Sequence, residues 1–367
     1  MHGLASQVLL ISPEPWHGHF VSKHHYAITL ANRGYRVYFL NPPNNMLKSP
    51  KIEQTEYENL WQITAPQVAK GLRFYPKMLR KYVERRWLER LERRIGSPFT
   101  TVWLFENSRF YSMDFAHKRT KIYHQVDANQ NFHVKEAASS ADICFCVTDF
   151  IRRDLLAYHQ NVFKIFHGID LESQKTPLSL EQCRRFTPNR IHVAYVGNLD
   201  MHYIDEDIVY TLVQKHADIM FHFVGGYTSN GALYKMCKAM NNVVWWGKVE
   251  STLILSILEK IDVCLLVYRA EAYREQLANS HKIMEYLASG KVTVATYTDE
   301  YKDKRALLEM VDDSGEYVAK FDEVVAHLEF YNAKEKQKQR VAFAKEHSYE
   351  KQLDKIFVHL AASHLAL

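Results

Sequence analysis

The stretch NSHKIMEYLASGKVTVAT, residues 279–296, sets a lysine and a glutamate one turn apart at the start of a helix-like segment. On a helical wheel Ile283, Met284, Leu287 and Ala288 share one side; Lys282, Glu285, Tyr286 and Ser289 share the other. Two kinds of chemistry fit such a pair. One is an i,i+3 surface ion pair, which contributes only about 0.2–0.5 kcal/mol. The other is a ligand contact, with the carboxylate accepting from hydroxyls and the ammonium facing an anion. Upstream, YVGNLD (195–200) and FVGGY (223–227) close two strand-like runs with Gly197 and Gly225. A glycine there either makes a turn or lets backbone N–H groups approach a phosphate or base. GxGxxG and GxxxxGK[ST] are both absent, which argues against a nicotinamide enzyme and a phosphate-loop ATPase.

Two further groups lie in the first half. PWHGHFVSKHH carries His17, Gly18, His19, Lys23, His24 and His25. Clustered histidines suggest a metal, but neighbouring histidines point in different directions and no HExxH pattern or carboxylate set accompanies them, so no metal is expected. YHQVDANQNF (123–132) places His124 and Asp127 at a strand end, where Asp127 either caps a helix or meets substrate.

These residues need a scaffold. The chain has 367 residues, 47% hydrophobic and 24% charged, which is globular composition of two-domain length. Short apolar strands alternate with amphipathic helices, the pattern of parallel α/β layers. QVLLIS, RVYFLNPP, TTVWLF, KIYHQV, DICFCV and VFKIFHGID read as strands of a first domain, residues 1–170. Residues 171–189, with Pro177 and Pro188, read as a linker. RIHVAYVG opens a second α/β series over 190–347. Two Rossmann-like domains imply a cleft, with ligands beyond the carboxyl ends of the strands. Cys144 and Cys146 alternate onto one strand face and read as buried thiols.

The second series, YVGNLD, FVGG, NVVWWGKVESTLILSILEKIDVCLLVY, NSHKIMEYLASGKVTVAT, resembles the nucleotide-sugar domain of GT-B glycosyltransferases, particularly the family 4-like group (glycosyltransferase group 1). The matching positions include Asn242, Gly247, Asp262, Lys282, Glu285, Tyr286, Ala288, Gly290, Lys291 and Thr296. The first half looks like the same fold more generically. FKIFHGID is similar to the group's hinge, and RVAFAKEHSYEKQL to its closing helix, which implies that residues 348–367 cross back onto the first domain.

The resemblance implies an α/β fold of two Rossmann-like domains facing across a cleft, the GT-B architecture. It implies a nucleotide-sugar-dependent glycosyltransferase of the hexosyl-transferring class, working with retention and without metal in cell-surface polysaccharide biosynthesis. The donor would sit in the second domain and a glycan or lipid-linked acceptor in the first, with domain closure excluding water. Glu285 would hold the donor's ribose hydroxyls, and Lys282 the diphosphate. Gly197, Asn198, Gly225, Lys248, Tyr268 and Ser280 complete the expected donor set. His17, Gly18 and His19 would form an acceptor or cleft loop, and His124 and Asp127 the catalytic pair. No cofactor is implied beyond the nucleotide-sugar co-substrate, for which UDP is the commonest base. A GT-B-fold nucleotide-sugar epimerase and a non-catalytic polysaccharide-assembly protein are the alternatives.

The sequence departs from the group in two places. Leu277 stands where many members have a second glutamate, and VGNLDMHYID lacks the usual cations after its glycine. The charge is also uneven. Lys70–Arg94 holds ten Lys and Arg against three Glu, a surplus of seven in a chain whose net charge is +5. That localisation argues against a nucleic-acid partner and for a local anionic contact. A helix over 76–95, with Leu79, Val83, Trp87, Leu91 and Ile95 turned to the sheet, would offer Arg85, Arg86, Arg93 and Arg94 to an anionic membrane. No apolar run reaches the roughly 18 residues of a membrane span. Val8–Ile11 is too short for a signal-peptide core. The expected location is the cytoplasm, with peripheral contact at the inner face of the membrane.

Overall fold

The computed structural model describes residues 6–18, 20–128, 132–171 and 175–367. The chain folds as two units, Met1–Phe166 with Tyr349–Leu367, and His167–Ser348.

The first unit is built on β1 (Gln7–Ile11), α1 (Ser22–Asn32), β2 (Arg36–Leu40), β3 (Lys51–Gln54), β4 (Leu60–Thr64), α2 (Lys77–Ile95), β5 (Thr101–Leu104), β6 (Thr120–Gln125), α3 (Val134–Ser140), β7 (Ile143–Cys146), α4 (Asp149–Leu156) and β8 (Val162–Lys164). Its eight strands run in the order β3-β4-β2-β1-β5-β6-β7-β8, parallel except that β3 pairs antiparallel with β4. Every residue of β1, β5 and β7 is buried, as expected of parallel strands covered on both faces. Alternation divides them between two layers. Leu9, Ile11, Cys144 and Cys146 pack with Leu88 and Leu91 of α2. Val8, Leu10, Trp103 and Phe145 pack with Tyr26 and Leu30 of α1. The β3–β4 hairpin has no counterpart in the sequence reading. Its outer strand is short, polar and at the sheet edge, where period-2 alternation is weakest.

Helix α2 corrects the expected stripe. Its buried residues are Arg80, Glu84, Leu88, Leu91 and Glu92, and Leu79 is exposed. The helix is rotated because two charged pairs turn inward. Arg80 holds Glu84 at 2.8 Å, donates to the carbonyl of Arg109 and lies over the Tyr111 ring. Glu92 accepts from Arg119 and from the Phe99 amide. Arg85 and Arg86 both pair with Glu89, Arg93 donates to the Glu89 carbonyl, and Arg94 is exposed.

The second unit contains α5 (Leu180–Cys183), β9 (His192–Val196), α6 (Glu206–Lys215), β10 (Met220–Val224), α7 (Ala232–Cys237), β11 (Val243–Gly247), α8 (Ser251–Leu258), β12 (Val263–Leu266), α9 (Lys282–Ser289), β13 (Val292–Ala295), β14 (Glu309–Met310), α10 (Tyr317–Ala326), α11 (Leu328–Tyr331) and α12 (Lys334–Lys345). Its six strands are all parallel, in the order β11-β10-β9-β12-β13-β14. The order in which strands are added reverses between β9 and β12, so the switch point of this sheet lies beyond their carboxyl ends. In the first unit it lies between β1 and β5.

The expected linker is part of the second unit. Thr176 exchanges backbone and side-chain hydrogen bonds with Thr252 and Ser256 on α8, and Arg185 donates to the Trp245 carbonyl. The last helix, α13 (Tyr349–Ala362), returns to the first unit. There it buries Tyr349, Leu353, Ile356 and Leu360 against α1, and Arg33 clamps Glu350 and Asp354.

Candidate functional site

At the switch point of the second sheet, β9 and β12 pair only through Val263–Val193 and Cys264–Ala194. Beyond that the strands diverge, and the Tyr286 hydroxyl of α9 fills the gap. It accepts from Val196 N at 2.9 Å and donates to Leu265 O at 3.2 Å. A strand end that would leave buried backbone groups unpaired is thus closed by a side chain from the helix above it.

The same helix brings Lys282 across the end of β9. Its Nζ donates to the hydroxyls of Tyr195 (2.7 Å) and Tyr268 (2.8 Å) and stands 4.4 Å from the centre of the Tyr195 ring. The path exists because residue 197 is glycine, since a Cβ there would lie 2.5 Å from Lys282 Cε and Nζ. Gly197 and Gly225 both have positive φ, 136° and 144°, and a Cβ on Gly225 would overlap the Gly197 carbonyl. Glycines therefore end β9, β10 and β11, at Gly197, Gly225 and Gly247, and leave a bare backbone shelf beneath the lysine.

The electrostatics of this pocket are unbalanced. Lys282 is 5% exposed, and burial brings its pKa down to about 8 against the pull of Tyr203 and Glu285. Its two hydrogen-bond partners are neutral phenols, because burial drives Tyr195 far up and Tyr268 to about 12. Glu285 is half-buried and forms no ion pair with Lys282; its carboxylate meets no hydrogen-bond donor among the described residues. Burial pushes Glu285 up to about 7, with Lys282 pulling it back. The surface ion pair is thereby excluded for these two residues. A cation solvated by neutral hydroxyls and a carboxylate with open lone pairs are chemically disposed to take an anion and a hydroxyl-bearing group.

Of the other expected donor residues, Ser280 lies beside the Tyr268 hydroxyl and pulls its pKa down against burial. Asn198 is exposed, its Oδ1 accepting from Asp200 N at the turn after β9. Lys248 is exposed just past β11. Leu277 is 4% exposed, an apolar core residue whose carbonyl accepts from Thr298 Oγ1, so no charged group takes that position. Tyr195 is the contact of Lys282 that sequence reading passes over, and Tyr286, though placed on the polar face of its helix, gave no sign of bridging two strand ends. Tyr195 looks like an ordinary apolar strand position until the lysine is seen beside it.

In the first unit the carboxyl ends of the strands are polar and side-chain-rich. Asn41 accepts from Trp16 N and donates to Gln62 and Thr64, and Gln62 contacts His17 Nε2 at 2.9 Å. Gly18 is exposed beside it, and His19 lies outside the described residues. His24, in the first turn of α1, is locked onto the same loop, bonded to Pro15 O and Val21 N. Arg109 donates to Asn41 O at 2.9 Å and more weakly to Ser12 O, holding the ends of β2 and β1 together. No carboxylate among the described residues bonds to it, and burial brings it down to about 10. Asp127 is exposed past the end of β6. His124 corrects the catalytic expectation. It is 1% exposed, enclosed by the rings of Tyr26, Trp103, Phe105 and Phe145, and such burial removes it from any substrate. Among the described residues no group of three or more His, Cys, Asp or Glu converges on a metal-sized site.

Comparison with known proteins places this geometry. Residues 190–327 match the family model described as Glycosyl transferases group 1, so the second unit carries that family's domain, and the resemblance read from the sequence holds. A Bacillus subtilis (strain 168) protein, TuaH, whose name ascribes to it a glycosyltransferase role in teichuronic acid biosynthesis, is 24% identical over 166 residues. That match covers 42% of this chain and 40% of TuaH, so the chain spans well under half of that relative's length. Among solved structures, a glycosyltransferase from Rickettsia africae ESF-5 superposes with a TM-score of 0.72 at 13% identity, over 97% of this chain and 98% of that one. The E. coli structure titled as trehalose-6-phosphate bound with UDP-2-fluoro glucose has a TM-score of 0.68 at 10% identity, over 98% of this chain and all of that one. Two parallel-sheet α/β units of the GT-B glycosyltransferase kind are thus the fold of this chain.

Proposed function

We propose that this chain is a glycosyltransferase that binds a nucleotide-sugar donor on its second unit and passes the sugar to a glycan or lipid-linked acceptor on the first. The single observation that carries the reading is the buried Lys282 beside the open Glu285 carboxylate, above glycine-ended strands at a sheet switch point. Glu285 accepts from the ribose hydroxyls. Lys282, with two of its three N–H donors spent on tyrosines, turns the third to the diphosphate. The glycine shelf lets phosphate or base approach backbone N–H groups. As the diphosphate departs it gains charge, and a pre-positioned ammonium in a dry pocket stabilises that charge without reorganising. The base is UDP, in keeping with the UDP sugar on the E. coli neighbour. The reaction proceeds with retention and needs no divalent ion, Lys282 taking the part that a metal would play. Cell-surface polysaccharide synthesis is the setting, supported by the name of TuaH.

The test is a thermal-shift and calorimetric screen with UDP, GDP and CMP sugars. A UDP sugar should stabilise the protein, and Glu285→Ala should remove that stabilisation. Unchanged binding by Glu285→Ala would defeat the ribose assignment, and failure of every donor would defeat the function. Product analysis with a bound donor separates transfer from epimerisation.

A further inference from the structure

The outward side of α2 carries an unusual combination. Phe74, Met78, Leu79 and Tyr82 are 76%, 77%, 47% and 60% exposed, four large apolar side chains within nine residues. The other exposed large apolar residues of the first unit are Met46, Phe132, Leu156, Tyr158 and Val358, no three of them close in sequence. Met78 and Tyr82 are one turn apart and share a face. Lys77, Lys81 and Arg85 form the adjoining row at the same spacing, and Arg73 stacks on Phe74. The helix's acids do not offset this. Glu84 and Glu92 face inward in their own pairs, and Glu89 is shared by Arg85 and Arg86. Lys77, Lys81, Arg90 and Arg94 meet no carboxylate among the described residues.

We infer that this face docks the protein on an anionic lipid bilayer, with Phe74, Met78 and Tyr82 entering the headgroup layer and Lys77, Lys81 and Arg73 facing lipid phosphates. Protein–protein interfaces are depleted of lysine. Here Lys77 and Lys81 adjoin the apolar cluster, and its central residues are a phenylalanine, a methionine and a tyrosine whose polar tip suits the water interface. No helix among the described residues is long and apolar enough to cross a membrane, so the contact is peripheral. The contact residues differ from those the sequence suggests. Arg85 and Arg86 are partly neutralised by Glu89, and the uncompensated cations beside the apolar cluster are Lys77 and Lys81.

Flotation of the full chain with phosphatidylcholine vesicles, with and without phosphatidylglycerol, tests this without any sugar donor. It therefore succeeds or fails independently of the transferase reading. The wild type should float only with the anionic vesicles and lose flotation in high salt. Lys77→Ser with Lys81→Ser should lower partitioning about 25-fold, each cation near the surface being worth about 5-fold. Met78→Ser with Tyr82→Ser should lower it at least as much. Arg85→Ser with Arg86→Ser should lower it less. Unchanged melting of each variant shows that folding is intact, since all these side chains are exposed or on the outer face. Absence of wild-type flotation, equal flotation of wild type and variants, or self-association that depends on Met78 and Tyr82 without vesicle binding would overturn the inference.

Discussion

The two units share one plan and finish it differently. Each is a parallel sheet whose first strand is central, with a switch point beside it. In the second unit the strand ends are glycines, and one helix supplies Lys282, Glu285 and Tyr286 above them. In the first, the strand ends carry Ser12, Asn41 and Thr64; the Asn41 side chain donates to Thr64, and Arg109 donates to the backbone carbonyls of Asn41 and Ser12. Bare backbone suits a group common to all donors, such as a phosphate, because N–H donors cannot be mutated away. Side-chain-rich ends suit a surface that must change with its substrate. The same scaffold thus ends one unit in bare backbone and the other in side chains.

The largest effect should come from the shelf itself. Gly225→Ala puts a Cβ onto the Gly197 carbonyl and should abolish soluble folded protein, whereas Gly226→Ala, with open space around it, should express and melt like the wild type. Equal behaviour of the two variants in expression and circular dichroism would break the distinction. Next, Lys282→Met should lower glycosyl transfer about 100- to 1,000-fold, measured as nucleotide release, the usual cost of losing one pre-positioned electrostatic donor. Glu285→Ala should weaken donor affinity about 10- to 100-fold by calorimetry, as loss of hydrogen bonds to a charged acceptor does. Arg109→Met in the first unit should cost about 1–3 kcal/mol of stability by leaving two carbonyls unpaired, with donor affinity unchanged. A fall in donor affinity there would erase the division of labour.

The smallest effect is on pH. Donor binding needs Glu285 ionised, and its raised pKa means that affinity falls as pH drops below about 7. It also needs Lys282 protonated, and its lowered pKa means that affinity falls as pH rises above about 8. Calorimetric titrations should give a bell between those values with several-fold losses on either side. Lys282→Met should erase the alkaline limb and leave the acid one.

Legibility followed the same division. The alternation of strands and helices was readable because parallel strands are apolar throughout and the helices between them are not. In the second unit, the lysine, the glutamate and the capping Gly290 are close in sequence, so one motif announces them. Tyr195 and Tyr268 come from two other strand ends, and only the fold shows that they solvate Lys282. In the first unit the polar residues come from loops after different strands, with no local spacing to betray them. His124 misled because a histidine at a strand end looks reactive, while its neighbours in space are aromatic rings from β5 and its exit, β7 and α1. The α2 stripe misled because hydrophobic periodicity cannot see Arg80 and Glu92 finding partners that draw them inward.

The return of α13 to the first unit bears on how the chain is made. Synthesis runs from the N-terminus, and domains generally fold as units while it proceeds. The face of α1 that receives Tyr349, Leu353, Ile356 and Leu360 stays uncovered until the whole second unit has been translated. The second unit must therefore fold as an insert within an unfinished first unit. A pause or truncation after Ser348 would leave an apolar strip open to chaperones and to aggregation.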